Sequence, residues 1–118
     1  MIIEAADFEH SSSSRPVFLL GDLNSRVEED AYKTISARMY DLRKTSTATY
    51  GHVNTFTGFD GRKGDLSRID HIFGSHGRGW TGGVYAVEEN RFEDERWLSD
   101  HRLVIADVVL GRDLKPEK

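Results

Sequence analysis

The 118-residue sequence predicts an α/β sandwich. Three observations carry that reading. Val17–Leu20 and Leu103–Leu110 are short, nearly unbroken apolar runs of the kind that form strands buried on both faces. Between them, Glu28–Met39 places Ala31, Tyr32, Ile35 and Met39 at helical spacing. Strands that require cover on both faces, mixed with an amphipathic helix, imply layers of helix on sheet. Composition agrees, because 37% hydrophobic and 31% charged residues is a globular balance and not that of a disordered chain.

In chain order, residues 1–15 read as a residual, frayed helix (Met1–His10) and a serine-rich linker. Residues 1–10 contain neither a basic n-region nor an apolar h-region, so no secretory signal is read and the compartment stays open. The run Val17–Leu20 then ends on Gly21, Asp22 and Asn24, where the backbone leaves the sheet. The helix Glu28–Met39 carries Glu28, Glu29 and Asp30 in its first turn, where the helix dipole favours acids.

From Tyr40 to Gly83 the sequence reads as loop-rich, with nine of the eleven glycines between Gly51 and Gly83. Inside it, Thr55–Thr57 is a candidate short strand and Arg68–Phe73 a firmer one. Gly58–Gly64 is a turn carrying Arg62 and Lys63, and Gly74–Gly83 a loop leading to a strand at Val84–Glu88. Trp80 and Trp97 read as packing residues, and His52 and His76 have no ligand spacing. In the final strand Asp107 requires a partner if buried. Residues 111–118 form a polar tail. No stretch reaches membrane-spanning length.

Chemistry concentrates in three strings: Gly21-Asp22-Leu23-Asn24, Ile69-Asp70-His71-Ile72-Phe73 and Ser99-Asp100-His101. The first is also ordinary turn chemistry. If Asp22, Asp70 and Asp100 converge, their repulsion must be relieved by a cation, a histidinium or protonation. Oxygen donors without any cysteine point to magnesium, with manganese as a substitute, and exclude thiolate zinc sites. That is the equipment of phosphoester hydrolysis. The net charge of −4 argues against tight, purely electrostatic binding of nucleic acid but leaves metal-assisted phosphate chemistry open. A serine-hydrolase reading of Ser99, Asp100 and His101 fails, because consecutive residues do not make a triad and no G-x-S-x-G elbow is present.

In this order, the three strings resemble the endonuclease/exonuclease/phosphatase family of nucleases, phosphodiesterases and phosphatases. The resemblance implies the second half only of a DNase I-like four-layer α/β sandwich, over residues 1–118. It implies that Asp22 orients and deprotonates water and that Asn24 holds a phosphate oxygen. His101 would stabilise charge developing on phosphorus, with Asp70 fixing its tautomer. Asp100 and Asp22 would hold Mg²⁺ or Mn²⁺. The substrate would be a phosphoester, whether nucleic acid, phospholipid headgroup or phosphorylated small molecule. The family's first half supplies a glutamate metal ligand and an asparagine with no counterpart here, so the chain reads as truncated, ahead of a fragment that pairs with another chain or a diverged product, and is expected to be inactive alone and to self-associate or need the missing half in trans. The alternative is a non-catalytic binding or structural module built on the same fold.

Overall fold

The apolar run after Pro16 becomes strand β1 (Phe18–Asp22). The computed structural model describes residues 4, 15–59, 66–76 and 79–111. Most of the expected N-terminal helix and linker, the cations Arg62 and Lys63, and the tail beyond Gly111 therefore lie outside the described residues.

Helix α1 spans Asp30–Ser36, shorter than the expected Glu28–Met39. Glu29 is its N-cap in extended conformation, and the Glu29 carboxylate accepts from the Arg26 amide at 2.7 Å instead of capping the helix. Met39 belongs to strand β2 (Met39–Asp41). It nevertheless packs in the same cluster as Tyr32, Ile35 and Phe73, so its burial mimics one more helical turn. The stretch expected to be loop holds further elements: helix α2 (Leu42–Thr45), capped by Asp41, and strand β3 (Ala48–Gly51). Strand β4 is Asp70–Ser75, two residues on from the expected start. Strand β5, Trp80–Val87, begins inside the supposed glycine loop and absorbs an irregularity between Gly82 and Val84. Strand β6 is Val104–Leu110.

Two three-stranded sheets result, ordered β1-β4-β2 and β3-β5-β6. All pairings are antiparallel except β3 with β5. Alternation along β4 explains the layering. Phe73 and Leu19 face α1, whereas Ile72 and Phe18 face Leu42, Tyr85 and Val87 together with Val104, Ala106 and Val108 from the second sheet. The described residues thus build three layers: helix, sheet, sheet. Trp80 packs there too, edge-on to Phe18 and seated over Gly74, where a Cβ would come within 2.4 Å of the ring.

Burial of β1 and β6 on both faces does not hold. Each is an edge strand among the described residues, and Leu20 is 66% and Val109 65% exposed. Ile105, Asp107 and Val109 alternate onto the outer face of β6, so Asp107 is solvated and requires no partner.

Candidate active site

Register creates the site. In the β1–β4 ladder Asp22 stands directly opposite Asp70, and Gly21 opposite His71. Directly opposed residues share a face, so both carboxylates project to one side and His71 to the other. His71 is buried against Tyr32 and Phe73, where its Nε2–H donates to the Ser25 carbonyl at 2.7 Å.

Turn chemistry after β1 completes the aim of Asp22. Asn24 adopts a left-handed backbone (φ 48), which asparagine tolerates well, and its amide donates to Asp22 Oδ1 at 2.7 Å. The Leu23 amide donates to the Ile69 carbonyl at 3.0 Å, tying the turn to the strand that carries Asp70. Asp22 Oδ2 remains facing the histidine.

His101 arrives just before β6. Its amide donates to Ser99 Oγ at 3.1 Å, so Ser99 serves as a turn residue. The ring Nδ1–H donates to Asp70 Oδ2 at 2.7 Å. On the opposite side Nε2 faces Asp22 Oδ2 at 3.7 Å and Asp100 Oδ1 at 4.0 Å. Partial burial disfavours the charged ring, but the Asp70 hydrogen bond and the charges of Asp70, Asp100 and Asp22 outweigh it and raise the His101 pKa above the ordinary histidine value. The structure therefore brings Asp22, Asn24, Asp70, Asp100 and His101 to one rim of the sandwich. A pocket of about 600 Å³ opens beside Asp22, Asn24 and His101, lined also by Arg26, Glu29, Phe56, Ser67 and Ile69.

Asp22, Asp70 and His101 each offer a ligand atom within 4.8 Å of the others. Asp70 Oδ2 is engaged by Nδ1, and half-exposed Asp22 is the more accessible carboxylate of this group; Asp100 lies outside it, with Oδ1 4.0 Å from His101 Nε2. Exposed carboxylates with room for water fit a hard divalent cation that keeps part of its hydration shell.

Sequence reasoning missed the scaffold beneath these groups. Buried Thr55 accepts through Oγ1 from the amides of both Ile69 and Asp70, each at 3.1 Å. Two residues on, the Thr57 amide donates to the Asp100 carbonyl at 2.9 Å. Asn90, also buried, donates from Nδ2 to Thr57 Oγ1 and to the Ser99 carbonyl, both at 2.8 Å. One short segment, Thr55–Thr57, thus fastens the second and third strings together. Its reading as a candidate strand hinted at pairing, and Phe56 does bridge to Ser67 and His101. Asn90 carries no local signal. A second buried assembly supports the first from below: Arg68 donates to both oxygens of Asp41 at 2.7 and 2.9 Å, and the Tyr32 hydroxyl donates to Asp41 at 2.5 Å.

The sequence profile described as the endonuclease/exonuclease/phosphatase family matches residues 2–101. Among solved structures, an endonuclease/exonuclease/phosphatase from Bacteroides vulgatus is similar with 26% identity and a TM-score of 0.78, over 93% of this chain and 42% of the other. A mannosyl-6-phosphatase from Bacteroides thetaiotaomicron is similar at 25% identity and TM-score 0.73, over 92% and 43%. A conserved protein of unknown function from Enterococcus faecalis shares the fold at 24% identity and TM-score 0.75, over 93% and 42%. The chain therefore spans less than half the length of each. No curated protein matches it.

Proposed function

This chain belongs to the endonuclease/exonuclease/phosphatase family, and from that premise we propose that it carries the His101 side of a divalent-metal-dependent phosphoester hydrolase site. Its fold is part of the DNase I-like α/β sandwich. The carrying observation is the imidazole held between carboxylates, with Asp70 at 2.7 Å on Nδ1 and Asp22 at 3.7 Å on Nε2.

Asp70, an acceptor-only group when ionised, commits the Nδ1 proton and so fixes which face of the ring meets substrate. Nε2–H then donates to a phosphate oxygen as charge accumulates on phosphorus. Asp22 Oδ2 takes the proton of the attacking water, while Oδ1 stays anchored by the Asn24 amide. The Asn24 carboxamide donates to another phosphate oxygen. Three carboxylates against one imidazolium leave the rim anionic, which repels phosphate; Asp22 and Asp100 would hold Mg²⁺ or Mn²⁺. When bound, that cation neutralises negative charge on the scissile phosphate. A mannosyl-6-phosphatase among similar structures supports a phosphate ester as substrate class.

We further propose that the remaining family residues, a metal-binding glutamate and an asparagine, come from the complementary half of the domain. The isolated chain should then show little or no turnover. Supplied with that half, hydrolysis of a p-nitrophenyl phosphate ester should depend on Mg²⁺ or Mn²⁺ and vanish with chelator. His101→Ala should lower turnover by about 10²–10⁴-fold. Full turnover in that variant would remove His101 from the chemistry.

A further inference from the structure

Beside the reaction pocket lies a second cavity of about 550 Å³ whose lining includes Arg26, Arg43, Lys44 and Arg68, with Glu28 its one acid among the described residues. The two cavities share Arg26 and Ser67, so they are neighbours along one wall. Their charge differs: the first sets Asp22 and Glu29 beside Arg26 and His101, whereas cations dominate the second. In a chain of net charge −4, that concentration of positive charge is not a by-product of composition.

The cations are also held in place. Lys44 Nζ lies 5.6 Å from the centre of the Tyr32 ring and the Arg43 guanidinium 5.9 Å from that of Tyr85, which restrains their stems against the core. Asp41 neutralises Arg68, whereas Arg26, Arg43 and Lys44 have no carboxylate partner among the described residues. Arg68 itself is 8% exposed and interacts with the Tyr85 hydroxyl as well as with Asp41.

We propose that this cavity is a second anion subsite, so that the substrate is a small phosphoester carrying another phosphate: one phosphate lies under His101 and the other among Arg26, Arg43 and Lys44. The inference rests on the hydrolase reading for the role of the first pocket. Two adjoining cavities of these volumes match a small molecule. The chain's negative charge disfavours an extended polyanion. Arginine suits the distal phosphate through its bidentate donors, while Lys44 adds a mobile point charge.

Calorimetric titration of the chain at low ionic strength with Mg²⁺ present, to offset the anionic rim, tests this with fructose 1,6-bisphosphate, fructose 6-phosphate and a single-stranded oligonucleotide. The bisphosphate should bind about tenfold or more tighter than the monophosphate, and Arg43→Gln with Lys44→Gln should abolish that preference. Lys44→Glu, at an exposed position, should erode the preference in the same direction and guards against misfolding of the double variant. Equal affinity for the two sugars, or a preference untouched by these substitutions, overturns the subsite. Tighter binding of the oligonucleotide than of the bisphosphate overturns the small-molecule assignment. Asp22→Asn separates the two readings. If it keeps the bisphosphate preference while no form hydrolyses any phosphoester with the complementary half present, the subsite stands and the hydrolase reading falls. Hydrolysis without the preference removes the subsite alone.

Discussion

At the scale of single residues, the site is an imidazole whose properties are set by what touches each nitrogen. Asp70→Asn keeps the shape but replaces an anion with an amide that either donates or accepts. The carboxylate's support for the imidazolium is then lost, and the ring no longer has one committed tautomer. The His101 pKa, raised in the parent chain, should fall in this variant, as read from ring-proton shifts in an NMR titration of the metal-free protein. With the complementary half supplied, turnover should drop by about 10²-fold or more. An unchanged titration would show that Asp70 does not govern the ring. Asp22, Asp70, Asp100 and His101 were legible in the sequence because each sits in a short string that carries its own signature. Thr55, Thr57 and Asn90 were not. Their work is to satisfy backbone groups across gaps such as the 33 residues between Asn90 and Thr57, and a hydroxyl or amide at such a distance leaves no pattern to read.

At the scale of elements, the triad Tyr32–Asp41–Arg68 joins α1, β2 and the approach to β4. Burial pushes the Asp41 carboxyl up, but the hydrogen bonds from Arg68 and Tyr32 outweigh it and hold it below the usual carboxylate value. Burial, reinforced by the bond to Asp41, pushes the Tyr32 hydroxyl up to about 12. Because the Asp41 pKa is lower folded than unfolded, its contribution to stability is complete above about pH 4 and is lost as pH falls through the folded value. His71 adds a second acid-sensitive window. Its burial depresses the ring pKa, so unfolding takes up a proton and stability declines as pH drops below about 6.5. Asp41→Asn should cost about 3–5 kcal/mol, since it leaves Arg68 buried without its counter-charge, and should flatten the more acidic window in urea melts taken across pH. Unaltered melts would mean the pair contributes nothing. The elements missed in the sequence, β2 with three residues, α2 with four and β3 with four, are too short to show a period. The helix was overextended for the converse reason, since Met39 repeats the helical spacing from a strand.

At the scale of the whole molecule, the three layers built by the described residues leave apolar surface uncovered among those residues. Leu103, Ile105 and Val109 project from or beside the outer face of β6, and Leu20 stands exposed at the edge strand that carries Asp22. Uncovered apolar surface on an edge strand promotes association. The chain alone should therefore sediment as oligomers at micromolar concentration, and Ile105→Lys with Val109→Lys should shift it toward monomer. The same substitutions should impair pairing with the complementary half. A parent chain that stays monomeric at high concentration would show that this face needs no cover.

The direct opposition of Asp22 and Asp70 also has a consequence in time, during synthesis on the ribosome. Like charges placed opposite one another weaken a strand pair, and the imidazole that relieves them lies 31 residues beyond Asp70. At about 5–20 residues per second, roughly 2–6 s separate translation of the second carboxylate from that of its counter-ion. Through that interval the β1–β4 ladder holds two facing negative charges without His101. The strand pair that frames the site should lock into place only once the last of the three strings has left the exit tunnel.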